Sequence, residues 1–230
     1  MELDKDLKAR QEARDLAKAA HEAQLQLNGF SQQQLDAIVE AMAKAFSAAA
    51  VELAELAVRE TGFGNAEDKV VKNRFASQDV AAAIRGMKTV GVLKENPEEK
   101  LWEVGVPVGV IAAIVPSTNP TSTVCYKAMI ALKAGNCIVF SPHPKALSCT
   151  LRACQIVARA AIEAGAPKGC IGCLSFGAMA GTQELMGAAQ VKLILATGGP
   201  AMVRAAYSSG KPAIGVGRAT ARPISTGLPM

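Results

Sequence analysis

The chain of 230 residues is long enough for one large domain or two small ones; half of it is apolar and only 4% aromatic, so its core must be built from Ala, Val, Ile and Leu. Its net charge of +5 is spread among acids, without the concentrated basic face and stacking aromatics of a nucleic-acid binder. No uncharged apolar stretch approaches the ~20 residues of a bilayer span, and no basic-then-apolar leader opens the chain, so a cytoplasmic protein without nucleic-acid or membrane partners is expected.

The first hundred residues read as helical. Residues 3–27 predict an exposed, charged helix with a narrow apolar stripe of Leu16, Ala20, Ala23 and Leu27, ended by Asn28-Gly29. Ser31 opens a second helix, with Gln34 completing a capping box and Leu35, Ile38, Val39, Met42 and Phe46 on the buried face. A third helix covers roughly 50–60 and stops at Thr61-Gly62-Phe63-Gly64. A fourth, about 66–86, carries Val70, Val71, Phe75, Val80 and Ile84. Gly91 to Pro97 reads as a loop and Leu101–Val106 as a strand.

From Val108 the pattern changes. Apolar runs rich in β-branched residues recur at Val108–Val115, Cys137–Phe140, Ile171–Phe176, Val191–Ala196 and Ala213–Val216, with helical segments between them. Continuous apolar strands alternating with helices predict an α/β fold whose parallel sheet is buried on both faces. Most runs end in Gly, Pro, Ser or Thr clusters: Pro116-Ser117-Thr118-Asn119-Pro120, Ser141-Pro142-His143-Pro144, Gly177 to Gly181, and Thr197-Gly198-Gly199-Pro200. Ligands of such sheets bind beyond the carboxyl ends of the strands, where these clusters fall.

Six cysteines without a leader read as reduced thiols, with Cys125, Cys137, Cys149 and Cys154 as small core hydrophobes. Cys170-Ile171-Gly172-Cys173 has a C-x-x-C spacing, but a structural zinc needs a second pair of ligands and the histidines are only His21 and His143, so no metal is expected. By residue type alone, Asn119-Pro120 fits both a turn before a helix and a neutral amide aimed at a ligand. The glycine clusters fit both tight strand-to-helix turns and phosphate cradles. His143 fits both a proline-flanked surface turn and a ligand contact.

Several of these stretches, in order and at matching spacing, resemble the CoA-acylating aldehyde dehydrogenases. They are Glu67-Asp68-Lys69-Val70-Val71-Lys72-Asn73; Pro107-Val108-Gly109-Val110-Ile111 through Pro116-Ser117-Thr118-Asn119-Pro120-Thr121-Ser122-Thr123; Ile138-Val139-Phe140-Ser141-Pro142-His143-Pro144; Leu195 to Val203; and Ala206 to Gly217. The likeness covers roughly residues 15–217 and looks most like the acetaldehyde and propionaldehyde branch, including the aldehyde half of bifunctional aldehyde–alcohol dehydrogenases.

The resemblance implies amino-terminal helices over residues 1–100 and a Rossmann-like NAD-binding domain over 101–217, the family's second domain being missing. It implies NAD-dependent, reversible oxidation of a short aldehyde to acyl-CoA through a cysteine thioester, with coenzyme A as co-substrate and the choice between NAD and NADP open. Asn119 is implied as the oxyanion donor; a neutral amide stabilises an oxyanion without protonating it. Ser141 and His143 follow the strand that meets the adenosine ribose in the superfamily. Gly177 and Gly181 resemble the loop into a cofactor-facing helix, and Thr197, Gly198 and Gly199 the turn that meets the pyrophosphate. Gly215 stands where hydrolytic members place the glutamate that activates water, which favours acyl transfer.

The family's nucleophilic cysteine lies beyond the matched region, and none of the six cysteines here has its context. The expectation is therefore a chain inactive alone, from a parent that is a homo-oligomer acting on a short-chain aldehyde and CoA. A non-catalytic nucleotide-binding or subunit-interaction module is the alternative. Residues 218–230 depart from the family, which continues with a P-G-N-x-P pattern. Codons can be chosen for Arg218 to Gly227 that, with one cytosine restored before them, read P-G-N-G-P-A-Y-I-D-R, so a frameshifted tail is expected.

Overall fold

The computed structural model describes residues 4–217; the tail expected to be frameshifted lies outside the described residues. The amino-terminal helices are α1 (Lys5–Leu27), α2 (Gln32–Ala48), α3 (Ala50–Thr61) and α4 (Ala66–Arg74); a π turn (Phe75–Asp79) then leads into α5 (Val80–Ile84). The capping box predicted for α2 is present, Ser31 accepting from the Gln34 backbone while the Gln34 side chain accepts from Ser31 N–H. Gly62 ends α3 in the left-handed region at φ 69°, which a side chain would strain.

Three of the local expectations need correction. The buried stripe of α1 is Ala9, Ala13, Ala17, Ala20, Ala23 and Leu27, with Leu16 only half-buried. Alanine at these positions lets α1 lie close to the sheet and to a later helix. The fourth helix turns its polar side inward: Lys69, Asn73 and Ser77 are buried, whereas Val71 and Phe75 are exposed. Its π turn also shifts the buried phase, and Ser77 Oγ donates to the carbonyl of Asn73 at 2.8 Å. Finally, Gly91–Asn96 is not a loop but strand β1, paired antiparallel with β2 (Leu101–Gly105). Its exposed lysine and glutamate hide the strand from a search for apolar runs.

The remaining elements alternate: β3 (Val110–Ile114), α6 (Pro120–Lys133), β4 (Ile138–Ser141), α7 (Leu147–Glu163), β5 (Ile171–Cys173), α8 (Met179–Gly187), β6 (Val191–Thr197), α9 (Pro200–Tyr207) and β7 (Ala213–Val216). The strands form one parallel sheet in the order β5-β4-β3-β6-β7, the α/β architecture expected from the apolar runs. Burial on both faces holds for β3 and β4, whose residues are all buried. It fails at the edge strand β7, where Ile214 and Val216 are exposed.

Helices α1 and α8 pack together against the sheet, and α6 and α7 pack together with α2 behind them. The alanine stripe of α1, the apolar face of α2 and the sheet belong to one continuous core. The amino-terminal helices are thus packed into the α/β unit, and the β1–β2 hairpin straddles residue 100.

Within this core, Lys127 of α6 is only 2% exposed. Its ammonium donates to the carbonyls of Ile114 (2.9 Å) and Leu195 (2.8 Å), joining β3 to β6. Burial pushes its pKa down to about 7. An unfolded lysine titrates near ~10.4, so above pH 7 the unfolded state binds more protons and stability rises with pH. The buried thiols of Cys125, Cys137, Cys149, Cys154 and Cys170 are pushed up by burial and act in the opposite sense, once unfolded cysteine ionises near ~8.5. Between about pH 7 and 8.5 the urea midpoint is therefore expected to rise, and Lys127→Met to flatten the rise. An identical slope in the variant would assign the effect to another group.

Candidate functional site

The chain builds β3, β4 and β5 outward in one direction, then returns to the other side of β3 for β6 and β7. The crossover reverses between β3 and β6, and ligands of open α/β sheets bind beyond the strand ends at such a point. Lys127 joins the two strands there, and Asn119 stands at the exit of β3.

Asn119 caps α6 by position but not by chemistry. It has φ −138° and ψ 62°, and its side chain makes no capping bond. Asparagine is among the strongest N-cap residues, accepting from the first helical amides when it serves that role. Instead the Asn119 carbonyl accepts from Thr123 Oγ1 at 2.7 Å and from Thr123 N–H at 3.3 Å. The residue is half-buried, and its side-chain amide takes no part in capping the helix.

A second group gathers where β4 and β5 end. Ser141 is buried, and its hydroxyl lies 2.8 Å from Thr182 Oγ1 of α8, so the side chain is turned to that helix. His143 is exposed, and its Nδ1 accepts from Lys145 N–H at 3.1 Å. Desolvation, then the Lys145 charge, lower its pKa below the ordinary imidazole value, which favours the neutral ring. A Cβ on Gly177 would lie 3.1 Å from Pro144 Cα, so glycine lets the loop before α8 close on the His143 turn. Gly181 stands apart: it is buried in α8, where a Cβ would lie 3.1 Å from the Ala9 carbonyl of α1.

A third group forms at β6 and β7. Thr197 pairs with Val216, and Gly198 N–H donates to the Val216 carbonyl at 3.2 Å. Gly199 begins α9 with open space around its Cα and no side-chain cap. At Gly215 a Cβ would meet Val203 Cγ1 at 2.6 Å and Tyr207 Cε2 at 3.0 Å, while the Gly215 N–H donates to Tyr207 Oη at 3.0 Å. A side chain there would have to displace Val203 and the Tyr207 ring.

The helix starts around this edge differ in what they offer an anion. The Glu60 carboxylate accepts from Ser148 N–H and Cys149 N–H, both at 2.7 Å, at the start of α7. Burial works to raise the Glu60 pKa, and the bonds from Cys149 and Ser148 outweigh it and hold it below the usual carboxylate value. That helix start is already supplied with negative charge. The starts of α8 and α9 have no side-chain cap, so their amides remain for an outside acceptor.

The sequence reading passed over two buried groups on α4. Lys69 Nζ donates to the Thr118 carbonyl at 2.6 Å. Asn73 accepts from Thr121 Oγ1 at 2.9 Å and donates to the Ala50 carbonyl at 3.0 Å. The available signal was the spacing of polar residues at 69, 73 and 77, one face of a helix. Among the described residues no group of three or more His, Cys, Asp or Glu is placed to hold a metal ion. No helix among the described residues is long and apolar enough to cross a membrane.

Residues 5–215 match the aldehyde dehydrogenase family. The chain is 48% identical over 202 residues to the bifunctional aldehyde-alcohol dehydrogenase AdhE of Escherichia coli, covering 88% of this chain and 23% of that protein. It is 40% identical over 204 residues to the succinate-semialdehyde dehydrogenase (acetylating) of Clostridium kluyveri, covering 89% and 45%. The crystal structure of an acetylating aldehyde dehydrogenase from Geobacillus thermoglucosidasius superposes with a TM-score of 0.91 at 54% identity, covering 93% of this chain and 47% of that one. The chain thus spans between about a quarter and a half of the length of these relatives. The match along nearly all of its described residues places this chain in the aldehyde dehydrogenase family.

Proposed function

We propose that this chain supplies the helical layer (residues 1–100) and the cofactor-binding unit (residues 101–217) of a CoA-acylating aldehyde dehydrogenase. The reaction is oxidation of a short-chain aldehyde to acyl-CoA, or the reverse, through a cysteine thioester. NAD is the expected cofactor and coenzyme A the acyl acceptor. The observation that carries this reading is the Asn119 amide, which stands at the switch point of the sheet and is not used to cap its own helix.

In this reading Asn119 Nδ2 donates to the oxygen that becomes anionic when a thiolate adds to the aldehyde. A fixed neutral donor in that position favours the developing charge without giving up its proton. The edge at Thr197, Gly198 and Gly199 fits the pyrophosphate of a dinucleotide: its residues are small, Gly199 is open, and the α9 start is uncapped. When bound, NAD supplies the hydride acceptor; this chain's residues bind and orient it. Neutral His143 and the loop at Gly177 flank the adenosine side, whereas Ser141 and Gly181 hold α8 against β4 and α1 and so act on the cofactor through that helix. Glycine at 215 supports acyl transfer over hydrolysis: it supplies no water-activating carboxylate, and one placed there would have to displace the Val203 and Tyr207 side chains.

The nucleophile is assigned outside residues 1–217. A catalytic thiol needs a lowered pKa, and burial drives five of the six cysteines, Cys125, Cys137, Cys149, Cys154 and Cys170, the other way; the sixth, Cys173, donates its thiol to the Leu174 carbonyl at 3.6 Å, and the resemblance gives it no catalytic context. The complete enzyme is expected to be a homo-oligomer. The exposed Leu101, Trp102 and Val104 of the β1–β2 hairpin also favour the second reading, a subunit-interaction module that binds nucleotide without catalysis.

The 230-residue chain alone is expected to show no acyl-CoA-dependent NADH oxidation above buffer. Activity abolished by substituting one of its six cysteines would overturn the placement of the nucleophile. For Asn119 the assay is a fusion of residues 1–217 to the remaining part of the Geobacillus enzyme. There Asn119→Ala is expected to lower kcat by roughly 10²–10³ while NAD affinity holds. A loss smaller than about threefold, with a deuterated aldehyde showing that hydride transfer limits the rate, would remove Asn119 from the oxyanion site. A fusion that binds NAD but never turns over would favour the interaction module.

A further inference from the structure

We propose that Lys69 is a positioning residue for Asn119, acting through the carbonyl of Thr118. This deepens the reading of Asn119 as oxyanion donor and rests on it.

The Thr118 carbonyl and the Asn119 N–H belong to one rigid peptide plane. Lys69 donates to that carbonyl at 2.6 Å from α4, a helix otherwise remote in sequence. The next plane, which carries the Asn119 carbonyl, is held by Thr123 Oγ1 and Thr123 N–H in the first turn of α6. With both flanking planes fixed, φ and ψ of Asn119 are fixed, and so is the direction of its Cα–Cβ bond. The conformation so held has φ −138° and ψ 62°. Asn73 secures the same turn two residues beyond Asn119, by accepting from Thr121 Oγ1 and donating to Ala50 in α3. The inward polar face of α4 thus grips the segment 118–121 on both sides of Asn119.

The character of Lys69 argues against an ordinary solvated lysine. It is 5% exposed although the threonine it reaches is exposed. Burial, followed by repulsion from Lys72, lowers its pKa. No salt bridge to a carboxylate is formed by it among the described residues, so its tie at the site is to a backbone oxygen. A buried cation without a counter-charge costs stability, and such costs are concentrated where geometry serves function. The turn Gly62-Phe63-Gly64 folds over it: a Cβ on Gly64, at φ 71°, would lie 3.7 Å from Lys69 Cε.

The test is a double-mutant cycle between Lys69→Met and Asn119→Ala in the fusion enzyme. Lys69→Met is expected to lower kcat by roughly 10- to 100-fold with the KM for NAD unchanged, the cost of a misplaced catalytic group. In the Asn119→Ala background the same substitution is expected to change kcat by less than about twofold, because the positioned group is gone. Lys69→Arg, which keeps a donor, is expected to recover most of the loss. Equal losses in both backgrounds, or none in either, would overturn the positioning role. An Asn119→Ala variant with undiminished kcat would overturn the oxyanion reading, and the positioning role with it. Should Lys69→Met fail to accumulate, Lys69→Gln enters the same cycle. The side-chain amide signal of Asn119 in the 230-residue chain, identified by its loss in Asn119→Ala, gives a readout free of activity. It is expected to move towards the random-coil position in Lys69→Met and Lys69→Gln; an unmoved signal would overturn the proposal.

Discussion

The ammonium of Lys127, shared between the carbonyls of Ile114 and Leu195, holds the structure at the point where its topology is weakest. At a switch point the chain leaves β3 towards β4 and returns to β6 only after two further strands. The helices on the two sides depart in opposite senses, which opens the crevice that makes the position useful to a ligand. A single buried cation with two carbonyl acceptors closes the base of that crevice. An apolar side chain would fill the volume but could not bind both oxygens. The cost is desolvation of a charge, visible in a lysine pKa of about 7.

The layers around that point divide their tasks by side-chain chemistry. On one face, α1 contributes alanines to the sheet and reaches α8 closely enough that a Cβ on Gly181 would lie 3.1 Å from the Ala9 carbonyl oxygen. On the other, α2 and α6 supply larger apolar residues, among them Ile38, Met42 and Phe46 of α2 and Met129 and Leu132 of α6. Helix α4 does neither. Its buried residues are Lys69 and Asn73, each bonded to backbone or to Thr121. A face of this composition adds little hydrophobic stabilisation and much geometric definition. It is spent on the turn that carries Asn119.

That division explains which features could be read from the residues. The continuous apolar runs of β3 and β4 marked central strands because both of their faces are buried. The Ser31–Gln34 box marked the start of α2 because capping is a local matter. Strand β1 was hidden because its outward Lys94 and Glu95 belong to an exposed hairpin with no core side. The fourth helix was misread because period alone weighs Val71 and Phe75 as core, whereas the tertiary fold needs Lys69 and Asn73 there. At the candidate site, the clusters were legible as turns at the carboxyl ends of the strands. The turning of Ser141 towards Thr182, or the packing of Gly215 under Tyr207, depends on partners far along the chain. Sequence pattern carries no record of such pairings.

Gly215 shows how packing and chemistry meet in a single residue. In a strand, glycine costs backbone entropy and contributes no side chain to the sheet. Here the absence of a side chain admits the Tyr207 ring and Val203 against β7, and Tyr207 Oη accepts the Gly215 N–H. The arrangement keeps α9 close to the edge strand, and a carboxylate at 215 would have to displace Val203 and Tyr207, the two α9 side chains that make this contact. On the proposed reading, in which the start of α9 meets the pyrophosphate, the glycine that withholds a water-activating carboxylate also keeps the packing of α9 on β7.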